Sequence, residues 1–180
     1  MRNAFAMYLT TMTALAACGG GKAAPEKPGG MMDKGGMDMK MGMADPSADT
    51  VPVLAAAKGY TSWSTFPEMP APTKSEGHMG MFVLGFHNQI VGDAIAAKTL
   101  PLPDGAVIVK QEMTSADGAP MSVTIMSKQA GAWYYVKASP DLMKVMSMNG
   151  MAMEGTSVGM CKDCHDNGAD NDYVLTHKFK

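Results

Sequence analysis

The sequence predicts an α+β fold, a mainly antiparallel β-sheet with a few short helices. Three observations lead there. Short runs rich in β-branched, aromatic and other apolar residues recur at 81–86, 106–113, 121–127 and 133–136. Turn residues punctuate them: Pro101, Pro103 and Asp104-Gly105, then Asp117-Gly118. Segments of helical character are few and short. Strands following so closely on one another read as an antiparallel sheet with helices set against it.

Ahead of that body, residues 1–17 read as an export signal. Arg2 supplies the positive start, and residues 4–14 form an apolar stretch too short to span a bilayer. Leu15-Ala16-Ala17-Cys18 then matches a bacterial lipobox, in which the cysteine is acylated and becomes the first mature residue. Position 19 is glycine rather than aspartate, so the expected address is the periplasmic face of the outer membrane, with the lipid on Cys18 as the membrane contact. Residues 18–50 are rich in Gly, Pro, Lys and Asp and nearly free of branched aliphatic and aromatic side chains. Such a segment buries too little surface to offset its ordering entropy and reads as a disordered tether. Met31, Met32, Met37, Met39, Met41 and Met43 make copper a secondary expectation there, since thioethers are soft ligands suited to Cu(I). A later cluster, Met143, Met146, Met148, Met151 and Met153, reads as adaptable apolar packing near a cofactor.

The folded body is expected over residues 51–180. A short helix at 53–58 comes first, with Trp63 and Phe66 as early core candidates. A strand at 81–86 follows, then an Ala-rich helix at 90–97. Strands at 106–113, 121–127 and 133–136 come next, and residues 140–148 read as a further helix. The chain has 180 residues, 46% of them apolar, and a formal net charge of -2, which suits one packed domain and no nucleic-acid partner. No apolar stretch in the body is long enough for a membrane span.

Cys161-Lys162-Asp163-Cys164-His165 is the C-x-x-C-H attachment signature of c-type haem. Two thiols three positions apart lie within about one helical turn and reach the two vinyl groups of one haem. The adjacent histidine supplies an imidazole to the iron as metal ligand. Two other chemistries use C-x-x-C. A zinc site would need partners such as His78, His87 and His177, and a thioredoxin-like redox pair would need a βαβ context that is absent.

At this point the chain resembles the cytochrome P-460 family, which includes the cytochromes c′-beta. The resemblance spans residues 60–176 and rests on three stretches. One is Gly85-Phe86-His87-Asn88 with Leu102-Pro103-Asp104-Gly105-Ala106-Val107-Ile108-Val109-Lys110. Another is Gly131-Ala132-Trp133-Tyr134-Tyr135. The third is the haem motif with Asp170-Asn171-Asp172-Tyr173-Val174-Leu175-Thr176, close to a family ending of the form D-x-V-F-T. The resemblance implies a mostly antiparallel β domain, often a homodimer. It also implies one haem near the C-terminus, with His165 as the sole protein ligand to the iron.

The family has two branches. In one, a lysine is bonded to a haem meso carbon and the protein oxidises hydroxylamine; the other lacks that bond and binds nitric oxide. Lys110 occupies the matching position after the D-G-x-V-x-V run. On a strand it shares a face with Ile108 and Ala106, where an unpartnered charge is costly; equally, it sits near a strand end from which it could reach water. The oxidising branch also uses a distal acid, for which Asp170 and Asp172 are the candidates, and Phe82 and Phe86 are candidates for an apolar pocket over the haem.

The leading expectation is therefore a haem-dependent hydroxylamine oxidoreductase with a periplasmic redox partner. The alternatives are a nitric-oxide-binding protein without turnover and an electron-transfer cytochrome with His and Met axial ligands.

Overall fold

The computed structural model describes residues 40–179. The export segment, Cys18, Met31, Met32, Met37 and Met39 lie outside the described residues. In chain order the elements are β1 (Met41–Ala44), α1 (Thr50–Ala56), β2 (Ser64–Thr65), β3 (Thr73–Ser75), β4 (Met81–His87), α2 (Gln89–Ala97), β5 (Val107–Met113), β6 (Ser122–Gln129), β7 (Ala132–Ala138), β8 (Val145–Met148), β9 (Met151–Ala152), β10 (Glu154–Gly155) and α3 (Gly159–His165). A 3-10 turn at Asp166–Asn171 continues α3.

The strands form an open antiparallel sheet in the order β1-β8-β7-β6-β5-β4-β2, with β3 on β4, β9 on β8 and β10 on β7. The expected α+β class with a mainly antiparallel sheet is what the described residues adopt. The strands expected at 81–86, 106–113, 121–127 and 133–136 correspond to β4 through β7, and the helix expected at 90–97 to α2.

Alternation along β5 explains why both faces of the sheet are covered. Val107 and Val109 point into a cluster with Val53, Leu54, Ala57 and Tyr60, so α1 and the turn after it pack on that side. Ile108 points into a second cluster with Phe66, Val91, Met126, Tyr135 and Val174. Phe66 is wholly buried as expected, whereas Trp63 is half-buried at the margin of the first cluster.

Asn88 connects the sheet to α2. Its side-chain oxygen accepts from Val91 N at 3.3 Å as an N-cap, and from Val107 N at 3.2 Å. Its amide donates to the Gly105 carbonyl at 2.8 Å, so one side chain starts α2 and positions the entry to β5.

Two expectations need correction. Residues 41–50 belong to the folded body rather than to a tether. All four residues of β1 pair with β8, and Lys40 N donates to Asn149 Oδ1 at 3.1 Å. Met41 and Met43 stay exposed, so backbone pairing holds this strand in place of burial, and hydropathy carries no sign of it. Residues 140–148 form a turn and a strand rather than a helix. Asp141 Oδ1 accepts from Ser139 Oγ at 2.5 Å and from Met143 N at 3.0 Å, which closes a turn at Pro140. Beyond it, buried Val145 and Ser147 alternate with the more open Met146 and Met148, the period of a strand.

Candidate cofactor site

Cys161, Cys164 and His165 lie on α3, which packs beneath the face of the sheet that carries Ile108 and Lys110. The three line a cavity of about 360 Å³ whose opposite wall includes Val83, Ile108, Lys110, Thr124, Met126 and Tyr135. The register explains the composition of that wall. Lys110 pairs with Gly85 on one side and Thr124 on the other, and Ile108 with Met126, so these residues share one face.

His165 is buried, and its Nδ1 donates to the Tyr173 carbonyl at 2.6 Å. A carbonyl only accepts, so the neutral ring keeps its lone pair on Nε2. Burial pushes the ring's pKa below 6.5; the bond to Tyr173 opposes this, and the positive charges of Lys110 and His78 add to it. A neutral imidazole fixed through Nδ1 by a carbonyl is the arrangement of a metal-ligating histidine.

Both cysteines are free thiols, and burial pushes Cys161 up to about 11. A thiol protonated at neutral pH is a poor redox nucleophile, which counts against a thioredoxin-like pair. Zinc fares no better. His87 packs on Phe66 with ring centroids 4.9 Å apart, and His177 pairs with Glu68 at 2.8 Å. Among the described residues, no group of three His, Cys, Asp or Glu side chains could hold a metal ion. The thiol pair, the oriented imidazole and the largely apolar wall do fit a covalently attached haem.

Lys110 faces the cavity rather than water, being 8% exposed. Burial pushes its pKa below 10.5, against the pull of Cys164 and Glu112. Among the described residues it makes no salt bridge, since the nearby carboxylate of Glu112 is engaged elsewhere.

Glu112 heads a polar cluster that sequence reasoning missed. It shares a face of β5 with Lys110 and is 2% exposed. His78 Nδ1 donates to it at 2.7 Å, Lys137 Nζ bonds it at 2.7 Å, and Ser122 Oγ donates to it as well. Burial by itself would raise the carboxyl; the bonds from His78, Lys137 and Ser122 outweigh that and hold it at about 2. His78 lines the cavity. The signal available in the sequence was the spacing of Lys110 and Glu112, two apart on an expected strand.

The other candidates lie elsewhere. Asp172 is buried, but it pairs with Lys128 at 2.6 Å, and its Oδ2 accepts from Leu102 N at 2.8 Å. It ties the C-terminal turn to the sheet and is not on the cavity wall. Asp170 is exposed and lines a separate surface hollow with Asn167 and Lys178. Phe82 and Phe86 project from the opposite face of β4 to Val83, and Phe86 meets Tyr60 edge-on at 5.4 Å in the other core cluster. A one-residue shift of phase separates the expected wall, Phe82 and Phe86, from the observed one, Val83.

Comparison with protein-family models and with curated proteins finds no match to this chain.

Proposed function

We propose that the protein is an exported, lipid-anchored c-type haem protein of the cytochrome P-460 type that oxidises hydroxylamine or a related small nitrogen species. The observation that carries this reading is the meeting of Cys161, Cys164, His165 and the unpaired Lys110 on one cavity.

Cys161 and Cys164 would hold the haem through thioethers, and His165 through Nε2. The group supplies an iron that binds a small ligand and exchanges electrons. The chain's own part is orientation and proton handling. Tyr173 fixes the ring of His165. Val83, Ile108 and Val136 exclude water from the wall. His78, with Nδ1 held by Glu112, can take up or release a proton at Nε2, the role expected earlier of Asp170 or Asp172. Lys110, which lines the same cavity, would bond a group filling it, relieving the cost of its burial. The acyl chains on Cys18 anchor the protein at the periplasmic face of the outer membrane, where a redox partner receives the electrons; the assembly is a homodimer.

Two observations favour alternatives. The apolar wall suits a nitric-oxide binder without turnover. Met69, Met126 and Met160 also line the cavity, so a His/Met electron carrier has its second ligand at hand.

The test is expression with haem-maturation machinery, followed by mass and optical spectra of the ferric and ferrous protein. The proposal expects one covalent haem, lost in Cys161→Ser/Cys164→Ser. It also expects a ferrous Soret band shifted far to the red that reverts in Lys110→Met, and turnover of hydroxylamine. Absence of covalent haem removes the whole reading. Haem with an ordinary five-coordinate spectrum and no turnover selects nitric-oxide binding, and a sulfur-to-iron charge-transfer band selects the carrier.

A further inference from the structure

Methionines far apart in sequence meet on one edge of the sheet. Register places Met41 opposite Met148, and Met148 opposite Met151, so three thioethers form a row across β1, β8 and β9. Met43 lies opposite Met146 in the next row. All five share one face, because Val145 and Ser147 occupy the buried face of β8. Met41 is 47% exposed and Met151 72%, so these side chains are not spent on a core. Met148, Met151 and Met160 also border a surface hollow of about 290 Å³, so two of the three thioethers in the row lie beside a recess.

We infer that this edge binds monovalent copper through the thioethers of Met41, Met148 and Met151, with Met43 and Met146 as flanking donors. Directly opposed residues in adjacent strands have Cβ atoms about 4.5–5.5 Å apart. A methionine has three rotatable side-chain bonds, so three neighbouring sulfurs can converge on one ion between them. Neutral thioethers select Cu(I) over zinc, magnesium or calcium, which prefer imidazole, thiolate or oxygen donors. Those harder donors do not compete here, because among the described residues no three His, Cys, Asp or Glu side chains form a metal-binding group. The site needs no haem and is distinct from any copper bound by residues 31–39.

The probe is Cu(I) itself, titrated anaerobically into the full chain against a chromophoric chelator. Cysteines 18, 161 and 164 are replaced by serine in the starting protein, so that thioethers are the only sulfur donors. One tight equivalent and a copper absorption edge with sulfur neighbours are expected. Met41→Leu/Met148→Leu/Met151→Leu, which conserves side-chain volume, should weaken binding by more than the roughly 10- to 100-fold that loss of a group supporting a metal ligand costs. Met151→Leu alone, at an exposed position that cannot unfold the sheet, should weaken it measurably. Replacing Met31, Met32, Met37 and Met39 by leucine should leave that equivalent in place. Unchanged affinity in the triple variant, or loss of the equivalent in the 31–39 variant, overturns the proposal.

Discussion

The carbonyl oxygen of Tyr173 lies 2.6 Å from Nδ1 of His165, and that contact decides which nitrogen of the ring is left for a metal. The turn carrying Tyr173 is itself held by Asp172, whose carboxylate pairs with Lys128 and whose carbonyl accepts from Trp133 Nε1 at 2.8 Å. The orientation of His165 is thus built into the packing. In the haem-free chain near neutral pH, a long-range proton–nitrogen correlation spectrum should show His165 neutral with its proton on Nδ1. An Nε2–H ring or an imidazolium would contradict this.

Lys110 is a charge buried without an ionic partner, so its removal should stabilise the haem-free chain. Met is close in length and carries no ammonium, and Lys110→Met should raise stability by about 1–3 kcal/mol in urea unfolding. The sign with pH follows from the lowered pKa. Between the folded value and 10.5 the unfolded chain binds more protons than the folded one, so stability rises with pH through that window and is flat below the folded value, where both states carry the proton. Lys110→Met should lose that slope. A variant less stable than the parent across this range would show that the ammonium has a favourable role in the haem-free chain.

Much of the site was legible because its chemistry is local. Cys161, Cys164 and His165 fall within five consecutive residues, and a helix there brings them to one side. Lys110 was legible as a face, through its spacing from Ile108, but not as buried, since that depends on α3 covering the sheet. The phase of β4 was misread because Phe82, Leu84 and Phe86 look like the natural lining of an apolar pocket, while Gly85 carries no side chain to mark the other face. Gly85 is where Phe66 packs: a Cβ there would lie 3.2 Å from that ring. Strand β1 was missed because its partners are about a hundred residues away and its side chains stay in water. The cluster around Glu112 joins four elements, and spacing along the chain does not reveal such a meeting.

The hairpin between β6 and β7 turns on Ala130 and Gly131, with φ of 47° and 78°. Positive φ at both central residues is a type I′ geometry, which suits Asn-Gly better than Ala-Gly. Left-handed backbone costs an L-residue with a Cβ roughly 1 kcal/mol or more, and asparagine offsets part of that with local hydrogen bonding. Ala130 is exposed, so no packing is lost on replacement. Ala130→Asn should therefore stabilise by about 0.5–1 kcal/mol, and the β-branched Ala130→Val should destabilise. Thermal unfolding of the two variants beside the parent measures the difference; equal midpoints would mean that this turn relaxes out of the left-handed region.

Acid should remove the stability that the Glu112 cluster contributes to the fold. The carboxyl is held at about 2 against an ordinary 4.5, so the unfolded chain takes up a proton first as pH falls. The stability it contributes is complete above 4.5 and disappears as pH drops through about 2. A shift of this size corresponds to roughly 3 kcal/mol. Glu112→Gln preserves the shape and the hydrogen bond to Ser122 but leaves Lys137, itself buried, without its counter-charge. Above 4.5 the variant should be less stable than the parent by an amount of the order quoted for a broken buried pair, about 3–5 kcal/mol. Descending toward pH 2 the two should converge, because the parent then carries a neutral carboxylic acid in the same place. Urea unfolding of both proteins across this range isolates the effect, since every other carboxylate is common to the two. Parallel curves over the window would mean that Glu112 is bonded no better in the fold than in the unfolded chain.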